Sequence, residues 1–184
     1  MAVILVTGPM ASGKNHVSEM MQREDWKAID ADILVHKAID SQAKKIYETF
    51  KSAAEENKIN ILKNSSGETP VINRRALGKL LFSDPNLLKQ QEAIVYPVIT
   101  DQIKDFAKNN ENTLINATLL YKTPELLNMC SKIIYLKAGF FKRLIRAKKR
   151  DKLPLMQILR RFYSQRNLLK EYKKFSLPIT ILKN

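Results

Sequence analysis

A chain of 184 residues, 45% of them apolar, can bury one good core with room for modest insertions, and its apolar share is that of an ordinary globular protein. No apolar run is long enough to span a bilayer, and the short N-terminal apolar run lacks the basic flank of a secretory signal. Cys130, the single cysteine, cannot pair internally, which together with the missing signal favours a reducing cytoplasm.

Ala2-Val3-Ile4-Leu5-Val6 is an unbroken apolar run, the pattern of a parallel strand buried on both faces. Gly8-Pro9-Met10-Ala11-Ser12-Gly13-Lys14-Asn15 follows, and then His16–Met21 with helical spacing. Strand, glycine loop and helix form the context a phosphate-binding loop needs. The spacing Gly8-x4-Gly13-Lys14 fits the Walker A pattern through the lysine. Glycines let the backbone turn its N–H groups toward a phosphate, and the helix start adds partial positive charge. Lys14 is placed to reach the outer phosphates, whereas Asn15 stands where Ser or Thr ordinarily binds magnesium. Strand, both glycines, lysine and helix agree on this loop, against the alternative of an ordinary glycine turn.

Lys27–Asp30 reads as a second strand ending in two acids, Asp30 and Asp32, which point the same way if the extended form persists. Carboxyl ends of strands carry the ligands in open parallel sheets. Acids there can accept a proton from a substrate hydroxyl or hold the water shell of Mg²⁺. Asp32 could instead cap a helix beginning at Ile33. Residues 33–60 have helical recurrence at Ile33, Val35, Ala38, Ile39, Ile46, Tyr47 and Phe50. Lys63–Pro70 is a polar loop and Val71–Phe82 leads into a helix. Ser83-Asp84-Pro85 breaks it, and Asn86–Val95 forms another that stops near Tyr96-Pro97. This helical stretch is too long for a simple crossover and reads as an insertion covering the site.

Thr113–Thr118 is the third expected strand, Leu119–Lys122 a loop, Pro124–Met129 a short helix and Lys132–Leu136 the fourth strand. Phe140–Arg150 reads as a basic helix, Leu155–Tyr172 as another and Ile179–Leu182 as the fifth strand. Strands alternating with helices give an α/β parallel sheet. The net charge of +14 sits mostly here: residues 137–184 hold 15 Lys/Arg against 2 Asp/Glu. That balance points to nucleotide phosphates, nucleic acid or a membrane surface, or else to a solvated helix face. Phe140, Phe141, Phe162, Tyr163, Tyr172 and Phe175 lie at helical spacings expected of core rather than of stacking platforms for single strands.

Five segments, in order, resemble the dephospho-CoA kinase family. They are the Gly8–Asn15 loop, Ile29-Asp30-Ala31-Asp32, Asn73–Gly78 with Phe82–Pro85, Glu92–Pro97, and Arg146–Asp151 with Arg161–Gln165. The resemblance spans the whole chain. It implies a P-loop kinase with a five-stranded parallel sheet, a helical substrate-binding insertion and a basic helical lid. On this reading the core is 1–32, 111–139 and 175–184, the insertion 33–110 and the lid 140–174. The implied reaction moves the γ-phosphoryl group of ATP to the 3′-hydroxyl of dephospho-CoA ribose. Lys14, Asp30 and Arg150 would be catalytic. Gly8, Ala11, Ser12, Gly13, Lys14, Asn15 and His16 would hold ATP, joined by Arg146 and Arg150 of the lid. Asp30, Asp32, Arg74, Tyr96, Leu119 and Arg161 would bind dephospho-CoA. Mg²⁺ would be served by Asn15 and Asp32, weakly and through water. Neither nucleic acid nor membrane is implied.

The sequence departs from the family pattern at Asn15 in place of Ser/Thr, Asn73 in place of Asp and Tyr96 in place of His. At Asn116-Ala117-Thr118-Leu119-Leu120-Tyr121-Lys122 the family's two acids become Asn116 and Lys122. These changes keep three other functions in view: a nucleotide-binding protein of the same fold with little or no turnover, a kinase for another small hydroxyl compound, and a nucleic-acid module using the basic C-terminal quarter.

Overall fold

A computed structural model describes residues 2–63 and 70–184; the expected polar loop at Lys63–Pro70 lies, apart from its two end residues, outside the described residues. The apolar run at the N-terminus is β1 (Ala2–Thr7). It pairs in parallel with β3 (Asn112–Asn116) on one side and β4 (Lys132–Lys137) on the other. β2 (Lys27–Asp30) lies outside β3 and β5 (Ile179–Lys183) outside β4, giving the order β2-β3-β1-β4-β5 with every pairing parallel. Val3 to Thr7 are all buried because both faces of the central strand are covered. On one face Ile4, Val6, Leu114, Ile134 and Leu136 cluster with Val17 and Met21 of α1 (Lys14–Gln22). Each such side chain contributes roughly 1.5–3 kcal/mol on burial.

Register then decides what meets at the carboxyl end of the sheet. Asn116 of β3 lies opposite Val6 of β1 on one side and opposite Asp30 of β2 on the other. The glycine loop after β1, the acid ending β2 and the amide ending β3 are therefore neighbours, although far apart in sequence.

The chain forms two compact units, residues 1–32 with 103–184, and residues 33–102. α5 (Pro85–Lys108) is one continuous helix that begins in the second unit and ends in the first. This corrects the expected stop near Tyr96-Pro97. Proline removes one hydrogen bond and crowds the carbonyl four residues back, yet Ile94, Val95, Ile99, Ile103 and Ala107 keep a buried stripe on both sides of Pro97. In the second unit α3 (Ala43–Glu56) buries Ile46, Phe50 and Ala54. There α4 (Arg74–Leu81) is capped by Asn73, whose side chain accepts the N–H of Ala76 at 3.2 Å. The family's Asp before Arg74 is replaced by a residue that still performs this cap.

Two expectations in the first unit also change. The helix after β2, α2 (Ala31–Ser41), starts at once, and the extended form does not persist to Asp32. Asp30 supplies the cap, its Oδ1 accepting the N–H of Asp32 at 2.9 Å, so Asp32 is a first-turn residue and not the cap. Beyond α6 (Pro124–Asn128) and α7 (Phe140–Asp151), the single helix expected over Leu155–Tyr172 is two, α8 (Leu155–Ser164) and α9 (Leu168–Tyr172). Tyr172 is fully buried, and its hydroxyl donates to the carbonyl of Thr118 at 3.0 Å while accepting the N–H of Leu120 and the hydroxyl of Thr7. This end of the basic quarter is therefore core, fixed to the ends of β1 and β3.

Candidate active site

Two glycines shape the loop after β1. Gly8 has φ +151°, and a Cβ there would stand 2.6 Å from the carbonyl oxygen of Leu136 on β4. Gly13, with φ +100°, precedes α1, and a Cβ there would collide with the side-chain amide of Asn184. Ala11 also adopts a left-handed φ of 61°, a conformation costing roughly 1–2 kcal/mol in a non-glycine residue. The loop is held from outside. The N–H of Met10 donates to Oε1 of Gln165 at 2.6 Å, and its carbonyl accepts Nε of Arg143 at 2.9 Å. Met10 further packs with Ala147 of α7 (Phe140–Asp151) and Ile158 and Phe162 of α8.

Lys14 opens α1 and folds back so that Nζ donates to the carbonyl of Gly8 at 3.1 Å. Burial lowers its pKa below the usual 10.5; Asp32 and Asp30 pull it up, and Arg150 and Arg143 push it down. The ammonium thus lies in the field of both acids and both arginines. A site that desolvates a cation beside a phosphate loop strengthens any later bond to a phosphate oxygen.

The amide of Asn116 is the hub between the loop and the acids. Its Nδ2 donates to Oδ1 of Asn15 at 3.0 Å and to Oδ2 of Asp30 at 2.9 Å. The reverse orientation would set amide oxygen against carboxylate oxygen. Oδ1 of Asn116 is then buried without a partner. Alongside, Thr118 Oγ1 donates to Oδ2 of Asp32 at 3.4 Å. The two acids keep to the same end of the sheet, although through a helix turn rather than through strand alternation.

A cavity of about 820 Å³ opens over the loop, lined by residues 11–16 together with Arg146, Lys149, Arg150 and Asn184. Every expected loop residue from Ala11 to His16 lines it, with the two expected arginines, and the loop starts at Gly8. Arg150 is held for now by its neighbour: Nε and Nη2 bond the two carboxylate oxygens of Asp151 at 2.7 and 3.1 Å. Lys149 and Asn184 were not anticipated. A lysine among many in a basic helix carries no local signal, and an asparagine after a strand carries none either.

The remaining expected residues lie elsewhere. Leu119 is 40% exposed and directly follows Thr118. Arg161 on α8 is exposed and is not among the cavity's lining residues. Arg74 and Tyr96 belong to the second unit, where Arg74 pairs with Asp40 at 2.9 Å and the Tyr96 hydroxyl donates to Glu92 at 3.1 Å. The aromatic expectation holds for Phe162 and Tyr172 and fails for others. Phe140, Phe141 and Tyr163 are 47, 76 and 67% exposed, because they occupy the outward sides of α7 and α8.

The family model for dephospho-CoA kinase matches residues 2–184. The chain belongs to the dephospho-CoA kinase family. It is 38% identical to the dephospho-CoA kinase of Treponema denticola, over 99% of this chain and 82% of that one. Identity to the dephospho-CoA kinase of Treponema pallidum is 33%, over 89% of this chain and 78% of that one. Among solved structures, dephospho-CoA kinase from Campylobacter jejuni superposes with a TM-score of 0.65 at 26% identity, covering 99% of this chain and 87% of that one.

A dephospho-CoA kinase uses ATP, which generally travels with a divalent cation. Among the described residues of this family member no three His, Cys, Asp or Glu side chains form a metal cluster. The fit rests on amide and carboxylate oxygens instead: Asn15 Oδ1, the unpartnered Asn116 Oδ1 and the carboxylates of Asp30 and Asp32. These are hard donors of the kind Mg²⁺ takes while keeping several waters. Among the described residues, no helix is long and apolar enough to cross a membrane.

Proposed function

We propose that this chain transfers the γ-phosphoryl group of ATP to the 3′-hydroxyl of dephospho-CoA ribose, yielding coenzyme A and ADP, in the cytoplasm. The observation that carries this reading is the convergence, set by strand register, of Asp30 and Asn116 on the loop that holds Lys14, a loop that lines one cavity with Arg146, Lys149 and Arg150. Phosphoryl transfer needs positioned charge more than covalent chemistry, and this site is mainly positioned charge.

In the reaction the ribose oxygen bonds to the γ-phosphorus as the bond to the β–γ bridging oxygen breaks, and ADP leaves. Asp30 takes the hydroxyl proton. Its Oδ1 is fixed by the α2 cap and its Oδ2 by Asn116, so the carboxylate is oriented before substrate arrives. Lys14 exchanges the Gly8 carbonyl for phosphate oxygens, and Arg150 exchanges Asp151 for the same kind of partner with its planar fork. Arg74, Tyr96, Leu119 and Arg161 serve the acceptor side. Asn15 and Asn116, with Asp32 through water, would hold Mg²⁺, which neutralises charge on the β- and γ-phosphates when bound.

The test is a coupled ADP-release assay with ATP and dephospho-CoA across magnesium concentrations, with mass spectrometry of the acceptor. Dephospho-CoA-dependent ADP release and one added phosphoryl group are expected. ATP binding without ADP release at any magnesium concentration would replace this reading with a non-catalytic nucleotide binder, the alternative that Asn116 and Lys122 favour. ADP release with a different hydroxyl compound alone would point to another acceptor.

A further inference from the structure

The cavity over the phosphate loop has one wall that comes from the far end of the chain. After β5 the N–H of Asn184 donates to the carbonyl of Lys137 at 2.9 Å, continuing the β4–β5 pairing by one residue. This carries the Asn184 side chain onto the loop. Its Nδ2 donates to the carbonyl of Ser12 at 3.1 Å, and its Oδ1 accepts Nη2 of Arg146 at 3.2 Å. The amide lies where a Cβ on residue 13 would be, so Gly13 is needed for this approach as well as for its own backbone angle. Both ends of the amide are used, one as donor and one as acceptor. Aspartate could not donate to Ser12, and leucine could do neither.

Arg146 is left incomplete by this arrangement. Its Nη1 is buried and has no hydrogen-bond partner. A Cβ on Gly13 would be 3.7 Å from that nitrogen, which places it at the start of α1. A buried guanidinium N–H that is unpaired is costly. Beside a phosphate loop and Lys14, the partner that satisfies both its charge and its geometry is a phosphate oxygen.

We propose that Asn184 is a positioning residue for ATP: its amide ties the Ser12 carbonyl to Arg146 and so presets the guanidinium against the phosphate loop. This rests on ATP being the ligand of that loop. Free arginine side chains have many rotamers, and fixing one before binding removes an ordering cost that ATP would otherwise meet. The effect belongs to the nucleotide and not to the acceptor.

Calorimetric titration of ATP into the wild-type protein, Asn184→Ala, Arg146→Ala and the double variant tests it, alongside the KM for dephospho-CoA and thermal melting. Asn184→Ala should weaken ATP binding about 2- to 13-fold, the cost of ordering one rotamer-rich side chain on binding. The KM for dephospho-CoA should stay unchanged. The double variant should bind ATP about as weakly as Arg146→Ala alone, because Asn184 acts through Arg146. Should Asn184→Ala fold poorly, Asn184→Asp keeps the volume and carries the same expectation of weaker ATP binding with an unchanged acceptor KM. Wild-type affinity in Asn184→Ala, or losses that multiply in the double variant, would overturn the inference while leaving ATP as ligand. A wild-type protein that binds no ATP would remove both the inference and the reading beneath it.

Discussion

Restoring an acid at the end of β3, Asn116→Asp, perturbs the site at its hub. Asn116 is 5% exposed, and its Nδ2 donates to Asp30 at 2.9 Å and to Asn15 at 3.0 Å. An aspartate there exchanges a donor for a carboxylate oxygen facing another carboxylate. Two like charges about 3 Å apart repel by about 5 kcal/mol at an effective dielectric near 20. Proton uptake caps that cost, since keeping an ordinary carboxylic acid protonated at pH 7 takes about 4 kcal/mol. Metal-free protein should therefore lose about 3–4 kcal/mol, which for a domain of this size lowers the melting temperature by about 6–16 °C. Added Mg²⁺ should restore more stability to the variant than to the wild type, because a divalent cation between the carboxylates turns repulsion into coordination. Turnover by the variant should also saturate at lower free magnesium. Melting curves in EDTA and in graded Mg²⁺ measure this without relying on activity, and Asn116→Ala controls for lost hydrogen bonds without added charge. Identical melting of Asn116→Asp and wild type in EDTA would mean that residue 116 does not face Asp30. Low melting that Mg²⁺ fails to relieve would mean that no metal enters between them.

Lys14→Ala should lower turnover by about 10²–10³ while the protein remains folded; near-normal kcat in the folded variant refutes the role of Lys14. Asp30→Asn should be nearly as damaging with ATP binding kept, and a greater loss in Asp32→Asn would reverse the roles of the two acids. Arg150→Ala should slow turnover and leave melting almost unchanged, since the side chain is largely exposed and pairs with its neighbour Asp151; unchanged turnover would refute it. Burial pushes the Cys130 thiol from the usual 9.0 up to about 12. A raised folded pKa means that its contribution is intact below pH 9 and is lost as pH rises from there toward 12, by about 1.4 kcal/mol at pH 10. Cys130→Ala should flatten that alkaline loss in denaturation curves, and rapid labelling of the native thiol at pH 8 would contradict its burial.

Local chemistry was legible in the sequence wherever a residue's role depends on its immediate neighbours. The loop from Gly8 to Lys14 needs two unusual backbone turns and one cation, and all three are visible as residue types. β1 and β2 are legible because burial on both faces, or a strand ending in acids, leaves a pattern in consecutive residues. Pro97 misleads for the complementary reason. Proline weakens a helix locally, but the apolar stripe through Ile94, Ile99 and Ile103 outweighs one missing hydrogen bond. Asp32 misleads because alternation holds only while the chain stays extended, and the cap offered by Asp30 starts the helix two residues earlier. Phe141 and Tyr163 were expected in the core on helical spacing alone, which gives the face but not what the face meets. Asn184 was invisible, since its partners lie 38 and 172 residues away.

The same distinction changes the meaning of the two amides. In sequence, Asn15 and Asn116 are separate departures, each a loss from a metal site. In the folded chain they are bonded to each other across 101 residues, and Asn116 is bonded to Asp30 across 86. A hydroxyl paired with a carboxylate would join the loop to β3 by one donor and one charge. The amide pair makes that junction with no net charge, and it spends its second donor on orienting Asp30. On the proposed reading, phosphate binding does not depend on the missing charge, because Lys14, Lys149, Arg146 and Arg150 line the cavity over the loop. On the same reading the metal would depend on it, because a neutral oxygen attracts a divalent cation less than a carboxylate at the same distance. Magnesium dependence, rather than grip on the nucleotide, is therefore where this chain should differ from family members that carry the acid.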